Sequence, residues 1–464
     1  MKTTSLRSFS RILALLIFLP LSVPADQHPV VPLSCTPDNL AGVSFSHLTV
    51  EQGLSNSHVY DILQDDVGFI WIATFNGLNR FDGYSIKSYH HDPSDPSSLS
   101  GSNINTIFQG RDGYIWVGTD GRGLDRFDPK TETAVHHLAD EEKPGAVSSN
   151  IISAITQDPD GFLWIGTGNG VLNRFDPTAE IFTAYALPER VARTFIAGVH
   201  VDSQGALWIA ADKLYRFDPG TTTFTSFAPD QIVRLAPPSP SAPPPGGPPP
   251  GGPPPGGPPP GGPESIESQF DTMLSDGTAG LWLGSIDGLF YFDFVTHAFE
   301  QHVAAEGFGD STRVLSIIQS DSGLLWLTTP RNVHIYDPET RGIAFSFDYD
   351  PENPLGISAE VVNLVFRSRD GVLWFGTQDA GVDILNCDQA RFTAYPYDPN
   401  DRGNTFFDNH IKTIYEDPKG ILWVTTGPFI NRFDPVSYRF EHIFPASLPL
   451  PAMDRRIARI DGFI

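Results

Sequence analysis

The stretch GRDGYIWVGTDGRGLDRFDP, residues 110–129, contains the pattern that decides the fold. A turn at Asp112-Gly113 leads into residues 114–119, whose alternating apolar side chains predict a half-buried strand. Residues 124–127 predict a further strand. Asp128-Pro129 then favours a tight turn, because Asp accepts bonds from the backbone that follows it and Pro presets φ. The stretch therefore predicts short antiparallel strands joined by tight turns.

The same phrase recurs around every tryptophan in the chain. The eight are Trp71, Trp116, Trp164, Trp208, Trp282, Trp326, Trp374 and Trp423. Their separations are 45, 48, 44, 74, 44, 48 and 49 residues, and the outlier spans a Pro/Gly-rich low-complexity insert at 237–263. A period in the middle forties is typical of a four-stranded propeller blade. We interpret the tryptophans as blade core rather than as a carbohydrate-stacking platform.

Composition supports an all-β fold. The 43 Gly, 42 Pro and 33 Phe of this 464-residue chain suit many short strands and turns. We expect a seven-bladed β-propeller at 42–390, followed at 391–464 by the beginning of a second, incomplete propeller. The insert would be a solvated spacer between blades four and five.

Closure of the first ring is also predicted from the sequence. Residues 45–48 resemble an outer strand such as 392–395, so we expect them to complete blade seven beside 382–385. Residues 461–464 repeat the start of a blade motif, which favours a chain that stops partway through a further blade.

The N-terminus indicates export. Lys2, Arg7 and Arg11 precede an apolar run from 12 to 21, and a small-residue site follows before Asp26. This is typical of a signal peptide, here 1–25, with a linker at 26–41; the alternative is an uncleaved anchor, for which the run is short. We expect a periplasmic or extracellular protein.

The phrases GRDGYIWVGTDGRGLDRFDP, PDGFLWIGTGNGVLNRFDP and RDGVLWFGTQDAGVDIL resemble the two-component regulator propeller repeat. That resemblance implies the periplasmic sensor region of hybrid histidine kinases. It also implies a small-molecule ligand, an oligosaccharide as in relatives, and either a homodimer or a partner signalling protein. Membrane attachment would come only through a C-terminal region. Nothing in the chain resembles the family's transmitter, so kinase chemistry is assigned to no residue.

Net charge and the lack of catalytic motifs reduce the number of functional classes that the sequence allows. A formal charge of −25 disfavours a nucleic-acid partner. We find no nucleophile elbow, Walker loop or paired Cys-x-x-Cys, so we expect no catalytic centre and no cofactor. An exported interaction scaffold is the alternative, and a propeller lyase or hydrolase a more distant one. His90-His91 and His136-His137 fall in one apparent register but lack further ligands, so we interpret them as solvated outer-strand residues rather than a metal site.

Ligand recognition is expected on the face that carries the loops between second and third strands and between blades, because those loops vary on a rigid scaffold. The candidates around the channel mouth are Asn76, Asp120, Arg122, Asn169 and Asp379. These residue types also form turns. Arginines that precede the aromatic-Asp turn, such as Arg80 and Arg126, are expected to make charged bonds between blades.

The two cysteines, Cys35 and Cys387, flank the expected point of ring closure. In an oxidising compartment they would be able to form a disulfide that staples the ring. Two unpaired thiols are the alternative.

Overall fold

The structure, a computed structural model, is built almost entirely of β-strands. It describes residues 35, 40, 43–188, 194–202, 204–229, 232–234, 269–277, 279–304, 313–387, 411–417, 421–426, 429–434 and 439–443. The predictions for a signal peptide at 1–25, for the Pro/Gly-rich insert, for the segment 392–395 and for residues 461–464 fall outside this part of the chain. No helix among the described residues is long and apolar enough to cross a membrane.

Strand β1 (Ser46–Leu48) and a 3-10 helix at Val50–Gln52 precede the first sheet. Blade one comprises β2 (Val59–Gln64), β3 (Ile70–Thr74), β4 (Gly77–Phe81) and β5 (Ile86–Tyr89); blade two comprises β6 (Ile104–Gln109), β7 (Ile115–Thr119), β8 (Leu124–Asp128) and β9 (Thr133–His137); blade three comprises β10 (Ile152–Gln157), β11 (Leu163–Thr167), β12 (Val171–Asp176) and β13 (Ile181–Ala186).

The next blades follow the same order of pairing. Blade four comprises β14 (Gly198–Val201), β15 (Leu207–Ala210), β16 (Leu214–Asp218) and β17 (Thr223–Phe227); blade five comprises β19 (Phe270–Ser275), β20 (Gly280–Ser285), β21 (Gly288–Asp293) and β22 (Phe299–Ala304), with β18 (Ile232–Arg234) added in parallel to β22; blade six comprises β23 (Ser316–Gln319), β24 (Leu325–Thr328), β25 (Asn332–Asp337) and β26 (Gly342–Asp348).

Blade seven is completed by the start of the chain. It comprises β27 (Val362–Arg367), β28 (Leu373–Thr377) and β29 (Val382–Leu385), and β1 pairs antiparallel with β29 as its outer strand. The register places Ser46 opposite Ile384 and Leu48 opposite Val382. The innermost strands of the seven blades contact one another in a closed cycle, since β27 of blade seven also meets β2 of blade one. The pairing expected for 45–48 is thus present.

The second strand of each blade is buried on both faces. All five residues of Ile115–Thr119 are buried, so the expectation of a half-buried strand at 114–119 was wrong. The physical reason is that each blade lies between two others. Gly118 belongs to this packing, because a Cβ on it would lie 2.7 Å from Cγ2 of Ile152 in the next blade.

The tryptophans pack across the blade boundaries. The Trp116 ring lies 5.3 Å from Phe175 in the next blade, and Trp374 of blade seven lies 6.0 Å from Phe81 of blade one. All seven tryptophans of this ring are buried. Aromatic stacking therefore continues through the point where the ring closes.

A second compact unit contains Asn386–Ile464. Its described strands form one four-stranded sheet of β30 (Ile411–Glu416), β31 (Leu422–Thr426), β32 (Phe429–Asp434) and β33 (Arg439–Ile443). In it, Trp423 donates to Oδ2 of Asp417 at 3.1 Å. That this sheet begins a second propeller, with the boundary near 390, stays a prediction.

Candidate ligand-binding face

The channel wall is held by side chains at bulges in the inner strands. The ladder shifts by one residue between Ile104 and Thr106, and similar bulges occur in blades one, three, five and seven. In blade two the extra residue, Asn105, donates to the carbonyl of Ile152 in the next blade at 3.1 Å. In blade seven Asn363 donates to Val59 at 3.0 Å. The bulges thus link neighbouring blades and give the loops above them a rigid base.

Carboxylates in the turns before the second strand fix the tryptophans. Asp158 Oδ2 accepts from Nε1 of Trp164 at 2.8 Å, and its Oδ1 accepts from the backbone of Phe162 at 2.9 Å. Asp65 and Trp71 repeat this arrangement. The sequence signal for this contact is an Asp six residues before the Trp, whereas sequence reasoning considered only the nearer Asp-Gly turn, as at Asp112-Gly113.

The repeated arginines pack within their own blade and form an ion pair with the next blade. Arg126 lies opposite Trp116 in the ladder, with its guanidinium 5.1 Å from the centre of the Tyr114 ring. It also lies 3.6 Å from Glu180 of the next blade. Arg80 similarly faces Glu132, at 3.9 Å. These contacts describe a packing role for both arginines.

The five candidate ligand residues are all exposed on loops between second and third strands. Asp120 Oδ2 accepts from Nδ2 of Asn103 at 3.1 Å, and Asn169 donates to the Ser148 carbonyl at 3.2 Å. The backbone amides of Asn76 and Arg122 donate to threonine hydroxyls. Their spread over blades one, two, three and seven does not make one compact cluster.

Two of the five act on an aromatic pair at this face. His58 stacks on Tyr60 with ring centres 4.4 Å apart. Burial lowers the pKa of His58, and the nearby Asp379 opposes that shift. The pKa of Tyr60 is raised by burial and by the charge of Asp120. Burial therefore favours the neutral form of both rings, and each ring interacts electrostatically with one of the candidate carboxylates.

A buried carboxylate ties the closing strand to the loop between blades six and seven. Asp383 is fully buried; its Oδ1 lies 2.7 Å from Nδ1 of His47, and its Oδ2 accepts from the backbone of Ser358 at 2.8 Å. The other nitrogen of His47 lies 3.0 Å from the Pro354 carbonyl. We call His47, Pro354, Ser358 and Asp383 the closing latch. It joins three separate chain segments. They lie at the edge of the face that carries the loops between second and third strands and between blades, which we call the variable face.

Blade two contains the same arrangement. His136 lies 2.7 Å from the buried Asp125 and 3.0 Å from the Pro96 carbonyl, and Ser100 donates to Asp125 at 2.8 Å. His136 is therefore not the freely solvated residue expected from the sequence. Its neighbour His137 packs on Trp116, and burial lowers the pKa of His137 to about 4.

The apparent register of the two histidine pairs was also wrong. His137 lies opposite Leu124, whereas Tyr89 holds the corresponding place opposite Leu78 in blade one. His136-His137 thus correspond to Ser88-Tyr89 rather than to His90-His91. Within the described residues, no group of three or more His, Cys, Asp or Glu side chains is placed to hold a metal ion.

A cavity of about 550 Å³ opens beside the closing latch. Three segments of the variable face supply most of its wall: the turn after β1, the loop between blades six and seven, and the β28–β29 loop. Its lining residues are His47, Thr49, Val50, Glu51, Ser57, Tyr349, Asp350, Pro351, Asn353, Pro354, Gly356, Ile357, Ser358, Asp379 and Ala380. Asp379 is the one predicted candidate among them. We call this space the blade-seven cavity.

Sequence reasoning missed most of this lining because it lies in the loop between blades. The signal was present as a repeat, since 92–100 and 350–358 share the pattern Asp-Pro-x-x-Pro followed by Ser at the ninth position. An Asp on the third strand completes the latch in both blades. In each blade this Asp lies 25 residues after the Ser whose amide it accepts from, so the contact could not be recognised from the local sequence.

The cysteines are both buried, and each is disulfide-bonded, so the described part of the chain has no free thiol. That Cys35 and Cys387 are bonded to each other stays a prediction.

Comparison with known proteins identifies the repeat. Residues 53–76, 98–121, 146–169 and 405–427 match the two-component regulator propeller model, so the chain carries repeats of this type. The curated "Histidine kinase P4" of Formosa agariphila is 46% identical over 56 residues, which are 12% of this chain and 4% of that protein.

Solved structures share the fold. The extracellular domain of the hybrid two component system BT3049 from B. thetaiotaomicron has a TM-score of 0.60 at 21% identity, covering 87% of this chain and 49% of that one. The corresponding domain of BT4673 has a TM-score of 0.56 at 19% identity, with 87% and 47% covered. A virginiamycin B lyase from Staphylococcus aureus, solved with quinupristin, has a TM-score of 0.51 at 15% identity, covering 74% and 98%. The chain thus spans about half the length of the sensor domains it resembles.

Proposed function

We propose that this chain, which contains segments matching the two-component regulator propeller repeat, is an exported ligand-sensing propeller of a two-component signal transduction system. The observation that carries the proposal is the match of residues 53–76, 98–121, 146–169 and 405–427 to that repeat, together with the likeness of the fold to extracellular sensor domains. The ligand would be a small molecule, with oligosaccharides as the first class to test. Its output would require a kinase or another partner signalling protein.

The described face supports binding rather than chemistry. The blade-seven cavity is within the size range of small-molecule sites, and it combines an exposed aromatic ring with several polar groups. The histidine in its wall, His47, already bonds through both ring nitrogens, to Asp383 and to the Pro354 carbonyl. This favours a residue that positions the wall over one that transfers protons.

A thermal-shift screen of the purified chain against neutral, acidic and amino oligosaccharides tests the proposal. A ligand at about 100 times its Kd stabilises the fold that binds it by about 2.7 kcal/mol, which gives a clear rise in Tm. We expect at least one class to produce that rise. If none does, and calorimetry also detects no heat, the sensing function fails and an interaction scaffold becomes the better description.

A lyase is a second candidate, favoured only by its fold. Incubation of the chain with quinupristin, followed by mass spectrometry, would test this directly. We expect the substrate to remain unchanged; time-dependent conversion of quinupristin by the chain would replace the sensor proposal.

A further inference from the structure

We propose that the blade-seven cavity binds a ligand that presents a protonated amine beside a hydroxylated or apolar body. This rests on the proposed sensing function and names the chemical class that its site would take.

Shape and surface favour a ligand with an apolar side. Val50 and Tyr349 line the cavity, yet they remain 53% and 38% exposed. Both residues belong to the wall of a recess, and a recess with apolar walls and a few polar groups suits an organic molecule. The Tyr349 ring also offers a face for a sugar or an ammonium group.

Charge defines the other side of the ligand. Glu51, Asp350 and Asp379 line the cavity, whereas its lining includes no Lys or Arg. Nor does any described Lys or Arg form an ion pair with these three carboxylates. Both nitrogens of His47 are occupied, by the buried Asp383 and by a carbonyl. A recess focuses the field of such carboxylates, so the cavity attracts cations and repels acidic ligands.

Blade two has a cationic side chain at the place that corresponds to Ala380 in blade seven. The amide of Ala380 donates to Thr377 as that of Arg122 donates to Thr119, so the two residues correspond. The Arg122 stem lies over the inter-blade loop, because a Cβ on Gly101 would be 2.7 Å from its Cγ. In blade two the chain's own cationic side chain covers the loop; in blade seven an alanine leaves the space open.

The position of the cavity would link binding to ring closure. Its walls include the turn directly after β1 and the loop held to β1 by the closing latch. A ligand that contacts both would hold the start of the chain against blade seven. Binding would therefore stabilise the closed ring by mass action.

Three sugar dimers of similar size and different charge test the proposal. They are the glucosamine dimer from chitosan, its fully N-acetylated form and digalacturonic acid. We would measure binding to the full chain by titration calorimetry at about pH 6 and low salt. We expect the amino dimer to bind at least about tenfold more tightly than the acetylated dimer, about 1.4 kcal/mol, and the acidic dimer not to bind.

Variants locate the site. The double change Asp350→Asn with Asp379→Asn is expected to weaken the amino dimer at least about tenfold. Asp92→Asn, at the same place in the loop of blade two, is the matched control and should leave binding unchanged. Ala380→Arg should abolish binding, while Ala380→Gln, which adds bulk without charge, should weaken it less.

Three outcomes would overturn the proposal: equal affinity for the acetylated or acidic dimer, no binding of any of the three dimers, or an equal loss from Asp92→Asn. If another ligand from the thermal-shift screen binds and Ala380→Arg does not affect it, the cavity assignment fails while the sensing function stands. If no ligand of any class binds, both fail.

Discussion

Nδ1 of His47 lies 2.7 Å from Oδ1 of Asp383, although 336 residues separate the two along the chain. This pair is part of the bonding that closes the ring, because β1 is joined to blade seven by pairing and side-chain contacts rather than by chain continuity. The hydrogen bond to Asp383 raises the pKa of His47. Its protonation is therefore linked to closure.

The first prediction is a pH dependence of that closure. Because the folded pKa of His47 is raised above 6.5, its contribution is fully present below that value and is lost as pH rises through the folded pKa. His47→Asn should lower Tm at about pH 5.5 by no more than roughly 2 °C, since the ring is partly exposed, and less at about pH 8.5.

Scanning calorimetry at the two pH values measures this effect. His136→Asn is the matched comparison, because Asp125 raises the pKa of His136 in the same way within a blade that needs no closure. Equal loss of Tm at both pH values in His47→Asn would contradict the linkage.

A second prediction concerns Asp61 on the channel wall. Burial raises the pKa of its carboxyl to about 6, even though Thr106 and Ile107 donate to it. The folded state therefore holds its proton more tightly, so the stabilisation by this group is present below the unfolded value of 3.8 and is lost as pH rises towards about 6.

Asp61→Asn should flatten the change in stability between about pH 4 and pH 6. Urea unfolding across this window measures it, and Asp66→Asn, an exposed acid nearby, is the control. An unchanged slope in Asp61→Asn would show that the group ionises normally.

A third prediction concerns the carboxylate that fixes a core tryptophan. Asp158→Ala leaves the buried Nε1 of Trp164 without its acceptor and frees a turn amide. We expect a loss of about 2–4 kcal/mol in the free energy of unfolding. Asp160→Ala, two residues away and exposed, should cost less than about 0.5 kcal/mol. Urea denaturation measures both losses. Similar losses from the two changes would show that the bond from Trp164 to Asp158 has no special role in stability.

A fourth prediction uses backbone strain in a hairpin. Thr222 has a φ of 54°, in the left-handed region that β-branched residues avoid. Thr222→Gly should stabilise the fold by up to about 1 kcal/mol, because relief of strain exceeds the added chain entropy. Thr221→Gly, at a neighbouring position outside that region, should give no gain. A fall in Tm for Thr222→Gly would contradict the account.

The fifth prediction is the pairing of the cysteines. Peptide mapping without reduction should recover one cross-linked pair containing Cys35 and Cys387. Cys35→Ser with Cys387→Ser should then lower stability by about 2–5 kcal/mol. Recovery of both cysteines as separate alkylated peptides would exclude the bond. The same peptides prepared from the reduced protein are the standard for identifying them.

Much of the fold followed from periodicity alone. The phrase around Trp116 recurs at nearly constant spacing, and each copy has its own turn residues, so strands and blades were predictable from local chemistry. The closing strand could also be matched by its resemblance to other outer strands. The burial of Ile115–Thr119 on both faces was not predictable from one repeat, because it depends on the blades on either side.

The candidate site was less accessible from the sequence. Asp379 was singled out by its loop, but Tyr349 and Asp350 reach the same cavity from another blade. Likewise, the sequence around His136 is that of a solvated histidine, whereas its ring is bonded to the buried Asp125 on the neighbouring strand. Such partners lie far apart or on different strands, and no local pattern gives the distance between them.

The sequence by itself determined the repeat, the strands and the residues that turn the chain, because each depends on neighbours within a few positions. Tertiary structure alone decided the residue-by-residue register of β1 on β29 and which side chains meet across the blade boundaries. It also decided that Glu51, Asp350 and Asp379 share one cavity. The physical reason is that ring closure brings together residues more than 300 positions apart, and a carboxylate's surroundings depend on what that closure places beside it.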